Sequence, residues 1–173
     1  MGKALRDAED DNLITKNVCK LRKPPKVAES EMIIVRDVPS LVDKLGGARL
    51  YTPAIVALFT GMRLGEILAI RERRVDLDRG VIEVREALEE TKAHGIRFKA
   101  AKTKAGRRDI TLPDVAVDAL RGHRKQLLET RIRLGLGKLA DDDLLFANLE
   151  GKPLRPSAVS SDWGELVPAF LCE

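Results

Sequence analysis

Positive charge is the first feature of this 173-residue chain with chemical capacity, because it is placed unevenly. The formal net charge is only +4. Yet Lys92, Arg97, Lys99, Lys102, Lys104, Arg107 and Arg108 fall in one stretch without an acid, and Lys16, Lys20, Arg22, Lys23 and Lys26 in a second. The remainder of the chain is net acidic. A protein that is acidic elsewhere and concentrates cations in two segments is suited to hold a polyanion locally, nucleic acid being the usual one. The alternative for such a run is a solvated face. Other reactive side chains are few. His94 and Arg97 have His-x-x-Arg spacing, but within a stretch that reads as a hairpin, so the match is read as coincidence. His123 falls on the apolar stripe of a helix and reads as a packed, hydrogen-bonded ring. The single tyrosine, Tyr51, opens a helix and reads as a packing residue. Cys19 and Cys172 lie near opposite ends without metal-like spacing, so reduced thiols and no metal site are expected. No apolar run reaches the roughly 18 residues of a membrane span and no signal peptide opens the chain, so a cytoplasmic protein without a membrane partner is expected.

The elements that must position these groups are written in the apolar periodicity. Ala4, Leu5, Ala8 and Leu13 suggest a helix over 4–14, followed by a basic linker that Pro24-Pro25 keeps from being helical. Val38, Leu41, Val42 and Leu45 mark a helix closed by Gly46-Gly47. Thr52-Pro53 predicts the start of the next, with Thr52 as N-cap, and Ile55, Leu58, Phe59 and Met62 form its stripe. Gly61 and Gly65 bracket Arg63, which predicts a tight turn before a short helix carrying Leu64, Ile67 and Leu68. The period then changes. Val81–Val84 reads as a strand, with 96–99 and 108–112 as partners across a turn at 104–106. Pro113-Asp114 opens a long helix along Ala116, Leu120, His123, Leu127 and Leu134. Leu144-Leu145-Phe146 is a short buried run, and Arg155-Pro156-Ser157 starts a last helix.

The segment Thr60-Gly61-Met62-Arg63-Leu64-Gly65-Glu66-Ile67-Leu68 resembles the T-G-x-R-x-x-E-L box around the first catalytic arginine of the tyrosine recombinases, the phage-integrase family. The parts that follow come in the family's order: Val75-Asp76-Leu77-Asp78, the strand from Val81, the turn Lys102-Thr103-Lys104-Ala105-Gly106-Arg107-Arg108, then Ile110-Thr111-Leu112-Pro113, Asp143-Leu144-Leu145-Phe146 and Gly151-Lys152-Pro153. The resemblance runs from about residue 37 to 167. It implies an α+β fold, mainly α, with helices around a small three-stranded antiparallel sheet, like the N-terminal two-thirds of a tyrosine recombinase catalytic domain. It also implies site-specific DNA recombination and integration of a mobile element, without metal or nucleotide cofactor, by attack of a tyrosine on a backbone phosphate to give a 3′-phosphotyrosyl link and a 5′-hydroxyl. A phosphorane builds charge on its non-bridging oxygens, and a guanidinium meets that charge with two aligned donors and never loses its proton. Arg63 matches that position. Glu66 would orient Arg63, or form an ordinary i, i+3 pair. The general acid that protonates the leaving oxygen would be Lys102, or Lys104 if the register shifts. Arg97, Lys99, Lys104, Arg107 and Arg108 would hold double-stranded DNA through its phosphates.

Departures from the pattern set further expectations. At 69–74 integrases often carry a tryptophan and an acid where this chain has Glu72 and Arg74. The second arginine and the nucleophilic tyrosine have no match, so the chain alone is expected to be inactive. Residues 1–30 read as the remnant helix and basic linker of a core-binding domain, and 31–173 as an incomplete catalytic domain, truncated at both ends. Such a piece would leave apolar surface open, predicting self-association or association with intact integrase subunits, and a non-catalytic DNA-binding or decoy subunit is the alternative role.

Overall fold

The computed structural model describes residues 2–20, 37–101 and 106–171. It divides the chain into two units, Met1–Arg36 and Asp37–Glu173. In the first, helix α1 (Gly2–Asp10) is shorter than the 4–14 expected, and Asn12 lies in the left-handed region at φ 57° just beyond its end. A 3-10 turn at Val18–Lys20 follows. Buried Asn17 gives its N–H to the Glu9 carboxylate at 3.3 Å, and its Oδ1 accepts from the Cys19 N–H at 3.0 Å. Most of the expected basic linker, from residue 21, lies outside the described residues.

The second unit holds α2 (Val38–Leu45), α3 (Tyr51–Thr60), α4 (Leu64–Leu68), five strands, α5 (Asp114–Arg133) and α6 (Pro156–Leu171). Asp37 caps α2, accepting the Ser40 N–H at 3.1 Å, and the Gly46 N–H closes the other end on the Asp43 carbonyl at 3.0 Å. Contrary to expectation, Thr52 does not cap α3. The cap position is Leu50, and Thr52 and Pro53 are buried in the first turn, where the proline's missing N–H is one that no helical carbonyl could have met. Asp114 in the first turn of α5 and Arg131 and Arg133 in the last complement the helix dipole.

Strand β1 (Val75–Asp76), β2 (Val81–Val84) and β5 (Arg108–Thr111) form the three-stranded antiparallel sheet, in the order β1-β2-β5. The predicted pairing of 96–99 with 108–112 is corrected: β4 (Gly95–Ala100) pairs with β3 (Glu86–Thr91) in a separate two-stranded ribbon, Glu89 opposite Arg97 and Leu88 opposite Phe98. The sequence of β3, EALEET, is composed mostly of helix formers, and only cross-strand pairing makes it extended. Helices and sheet close over a core in which Ile55, Ile67, Leu68, Ile82, Leu120 and Leu145 are almost fully buried. The predicted run Leu144-Leu145-Phe146 is buried as well, docked on the chain after α4 by the Leu145 N–H to the Ile70 carbonyl and the Glu72 N–H to the Asp143 carbonyl, both 2.9 Å.

His123 joins α5 to this segment. Its Nε2 lies 2.8 Å from the Leu145 carbonyl oxygen and its ring rests 4.9 Å from that of Phe146. Burial holds its pKa below the ordinary 6.5, against the smaller opposing pull of the Leu145 carbonyl. The unfolded chain therefore binds the proton more readily than the folded one, so stability is full above about pH 6.5 and declines as pH falls below it. Urea midpoints of the wild type and His123→Gln, compared at pH 7.5 and 5.5, are expected to show the larger acid loss in the wild type.

Candidate functional site around Arg63

Local backbone chemistry places Arg63 before its side chain does anything. Helix α3 ends at Gly61, left-handed at φ 62°, whose N–H returns to the Ala57 carbonyl at 3.0 Å. The Thr60 hydroxyl donates to the Val56 carbonyl at 2.5 Å and accepts the Met62 N–H at 3.2 Å, folding the turn back on the helix end. Met62 drops into the core at 5% exposure, and Arg63, extended at φ −69°, ψ 146°, caps α4. The Arg63 N–H is satisfied by Oε2 of Glu66 at 2.9 Å, one half of a capping box. A Cβ on Gly65 would run into the Leu88 carbonyl oxygen, so glycine there lets β3 press against α4. The letters T-G-x-R-x-G-E thus each have a mechanical reason.

Glu66 is the hub. Its side chain is 8% exposed, against 84% for Arg63 and 32% for Arg108. Arg108, entering from β5, grips it with both arms of its fork, Nη1 to Oε1 at 3.0 Å and Nη2 to Oε2 at 2.8 Å, while Arg63 Nη1 reaches Oε1 at 3.4 Å. The Arg108 guanidinium, helped by the Arg63 N–H, holds the Glu66 carboxyl below its usual range despite burial, and Glu66 in turn raises the pKa of Arg108. Two guanidiniums share one carboxylate, leaving an excess of positive charge on Arg63, the exposed member. That arrangement can accept two oxygens of a phosphate diester on a fork whose base is held by a fixed anion.

The other expected site residues are distributed around this hub. Lys102 and Lys104 lie outside the described residues, while the chain on either side of them is held by hydrogen bonds. The Ala101 N–H is bonded to the Arg85 carbonyl at 2.9 Å, Arg107 Nε to the Ala101 carbonyl at 3.2 Å, and Arg108 to Glu66. Arg97 and Lys99 stand on the ribbon, both paired with Glu89. Arg107 is exposed at the start of the sheet. His94 sits in the β3–β4 turn, exposed, with its N–H on the Thr91 hydroxyl at 3.2 Å, and Tyr51 packs half-buried against the core. Sequence reasoning missed two things. It counted Arg108 among the phosphate contacts without seeing that a buried carboxylate would claim its fork. It also overlooked Arg85, whose Nη1 bonds the carbonyls of Val84 and Arg108 at 3.1 Å and whose Nη2 meets Asp109 at 2.7 Å. A groove of about 480 Å³ beside the hub is lined by Arg71, Arg73, Arg74 and Arg85 with Glu66, Glu83, Glu86 and Asp142; Arg71 pairs with Glu86, Arg73 with Asp142, and Arg74 and Arg85 share Glu83, so each of these arginines already has a carboxylate partner. Among the described residues no group of three or more His, Cys, Asp or Glu could hold a metal ion, and no helix is long and apolar enough to cross a membrane.

Unequal burial of the two arginines makes their removal unequal. Arg108→Met is expected to lower unfolding free energy by about 2 kcal/mol, because it strips a buried carboxylate of its main partner. Arg63→Met, at a surface pair, is expected to cost less than about 0.5 kcal/mol. Urea denaturation of both variants at pH 7 measures the difference; equal losses would contradict the hub geometry.

No protein-family model matches the chain. It is 24% identical over 150 residues to a curated tyrosine recombinase XerC-like protein of Caldanaerobacter subterraneus subsp. tengcongensis, covering 78% of this chain and 38% of that protein. Among solved structures it is similar to the Tn1549 transposon integrase in complex with a circular intermediate DNA (TM-score 0.74, 20% identity, 98% of this chain and 55% of that one). It is also similar to the XerA recombinase (TM-score 0.56, 20% identity, 85% and 46%) and to a lambda integrase tetramer bound to a Holliday junction (TM-score 0.53, 17% identity, 98% and 44%). The chain therefore spans about two-fifths of the curated relative and about half of each matched structure. With its sheet and helices arranged as in these solved structures, the chain has the fold of a tyrosine recombinase catalytic domain.

Proposed function

We propose that this chain is the arginine-and-lysine portion of a site-specific DNA recombinase, binding duplex DNA so that one backbone phosphate lies on the exposed fork of Arg63. The observation that carries the reading is the hub itself: an exposed guanidinium anchored through a buried carboxylate to Arg108, at the foot of the basic turn. Arg63 stabilises charge developing on the non-bridging oxygens, and Glu66 is the positioning residue that limits its rotamers. Lys102, with Lys104 as the alternative, protonates the leaving 5′-oxygen. Arg97, Lys99, Arg107 and the lysine not used in chemistry hold flanking phosphates, and Arg108 contributes mainly through Glu66. The positions matching a second arginine and a nucleophilic tyrosine have no counterpart among the 173 residues, so the chain by itself prepares a phosphate without cleaving it. Similarity to a recombinase solved as a tetramer on a junction supports assembly with further integrase subunits on DNA.

Binding to a mixed-sequence duplex, followed by fluorescence anisotropy, is expected to weaken roughly a hundredfold between 50 and 200 mM salt, as about four phosphate contacts require. Arg63→Ala is expected to flatten the logarithmic salt slope by about 0.9, the share of one phosphate contact. A duplex nicked beside the scissile phosphate should come through incubation unmodified. Salt-insensitive binding, or a covalent protein–DNA adduct, would overturn the proposal.

A further inference from the structure

The β3–β4 ribbon has two faces of different character, and its register assigns every residue to one of them. On the inner face Leu88 is in the core at 4% exposure, and Phe98 lies under the Arg71 guanidinium at 4.9 Å. Glu86 meets Arg71 Nε at 2.5 Å, and Glu90 accepts the Ser157 N–H at the start of α6 at 3.0 Å. The inner face is thus pinned to α4, to Arg71 and to α6. The outer face carries Ala87, Glu89 and Thr91 opposite Lys99, Arg97 and Gly95. One acid therefore serves two cations there: Glu89 Oε2 takes Arg97 Nε at 2.9 Å and Nη2 at 2.8 Å, and Oε1 takes Lys99 Nζ at 3.3 Å. Arg97 and Lys99 remain 46% and 47% exposed. After Lys99 the next acid along the chain is Asp109.

We infer that Glu89 is an internal stand-in for a DNA phosphate: it keeps Arg97 and Lys99 side by side on the outer face and gives them up to a backbone phosphate when duplex DNA binds. This rests on the DNA-binding reading above and extends it to a named surface and a named competitor. A carboxylate and a phosphodiester present the same pair of anionic oxygens to a guanidinium fork. Exposed ion pairs in water are held weakly, so the exchange has a low barrier and a small cost. Glu89 is ionised at neutral pH, and Arg97 and then Lys99 hold its carboxyl further below the usual range. The arrangement tempers non-specific affinity, since a ribbon with two unmatched cations would adhere to any duplex. In the three-stranded sheet Arg74 and Arg85 are less exposed than Arg97 and Lys99 and have two carboxylates, Glu83 and Asp109, between them, whereas on the ribbon's outer face two exposed cations share Glu89.

The test is a double-mutant cycle on the full chain, read as affinity for a mixed-sequence duplex between 50 and 300 mM salt. Glu89→Gln is expected to bind about fivefold tighter at 100 mM salt, with the logarithmic salt slope steeper by about 0.9. Arg97→Gln with Lys99→Gln is expected to weaken binding, and adding Glu89→Gln to that pair to change nothing. An equal gain in both backgrounds would mean that only net charge matters and would overturn the inference. So would unchanged or weaker binding by Glu89→Gln in a chain that otherwise binds. A wild-type chain with no salt-sensitive affinity removes the DNA-binding reading itself, and the Glu89 inference with it.

Discussion

A carboxylate with 8% of its side chain exposed has to be compensated where it sits, and Glu66 is compensated from two directions. Arg63 supplies a backbone N–H and a long side-chain contact from the same turn of chain; Arg108 supplies both arms of its fork from a strand forty-two residues away. Remove either the burial or the second guanidinium and the arrangement loses its purpose. An exposed Glu66 would be a surface ion pair of little consequence, and a buried one without Arg108 would carry an unpaired charge. The cost of burying Glu66 is what makes α4, β5 and the stem of the basic turn one mechanical unit.

Around that constraint the rest of the second unit supplies rigidity. Gly65 lets the Leu88 backbone approach α4, which seats the inner face of the ribbon. Arg71 holds the ribbon's base through Glu86 and the Phe98 ring, and Glu90 holds it near the tip by capping α6. Arg71 and Arg74 belong to the stretch where the sequence departs from the integrase pattern, and both are used structurally here. Arg71 bonds the Asp142 carbonyl at 2.7 Å and Arg74 meets Glu83 at 2.6 Å. Glu72, in the same stretch, pairs with Arg124 of α5 at 2.6 Å. Ion pairs and one carbonyl contact thus fasten the chain after α4 to the sheet, to α5 and to the 141–146 segment.

Exposure is divided unequally among similar cations. Arg63, Arg97 and Lys99 stay accessible while Arg71, Arg85 and Arg108 are largely committed to carboxylates or carbonyls. Composition cannot make that distinction, because a guanidinium has the same charge whether it faces a phosphate or a buried glutamate. It is drawn by strand alternation and by which face of each element meets the core.

The apolar stripes of α2, α3 and α5, the turn that isolates Arg63, and the concentration of positive charge in residues 92–108 could all be read from the chain, because each depends on local spacing and on chemistry carried by the residue itself. The strand character of Glu86–Thr91 and the pairing of β4 with it, the cap of α3 at Leu50, and the engagement of Arg108 by Glu66 could not. These are settled by contacts between segments distant in sequence, where burial and cross-strand pairing outweigh intrinsic propensity. The sequence determined which side chains carry positive charge; the tertiary structure decided which of them stay exposed, since only packing fixes where a carboxylate is buried and which cation must stay with it.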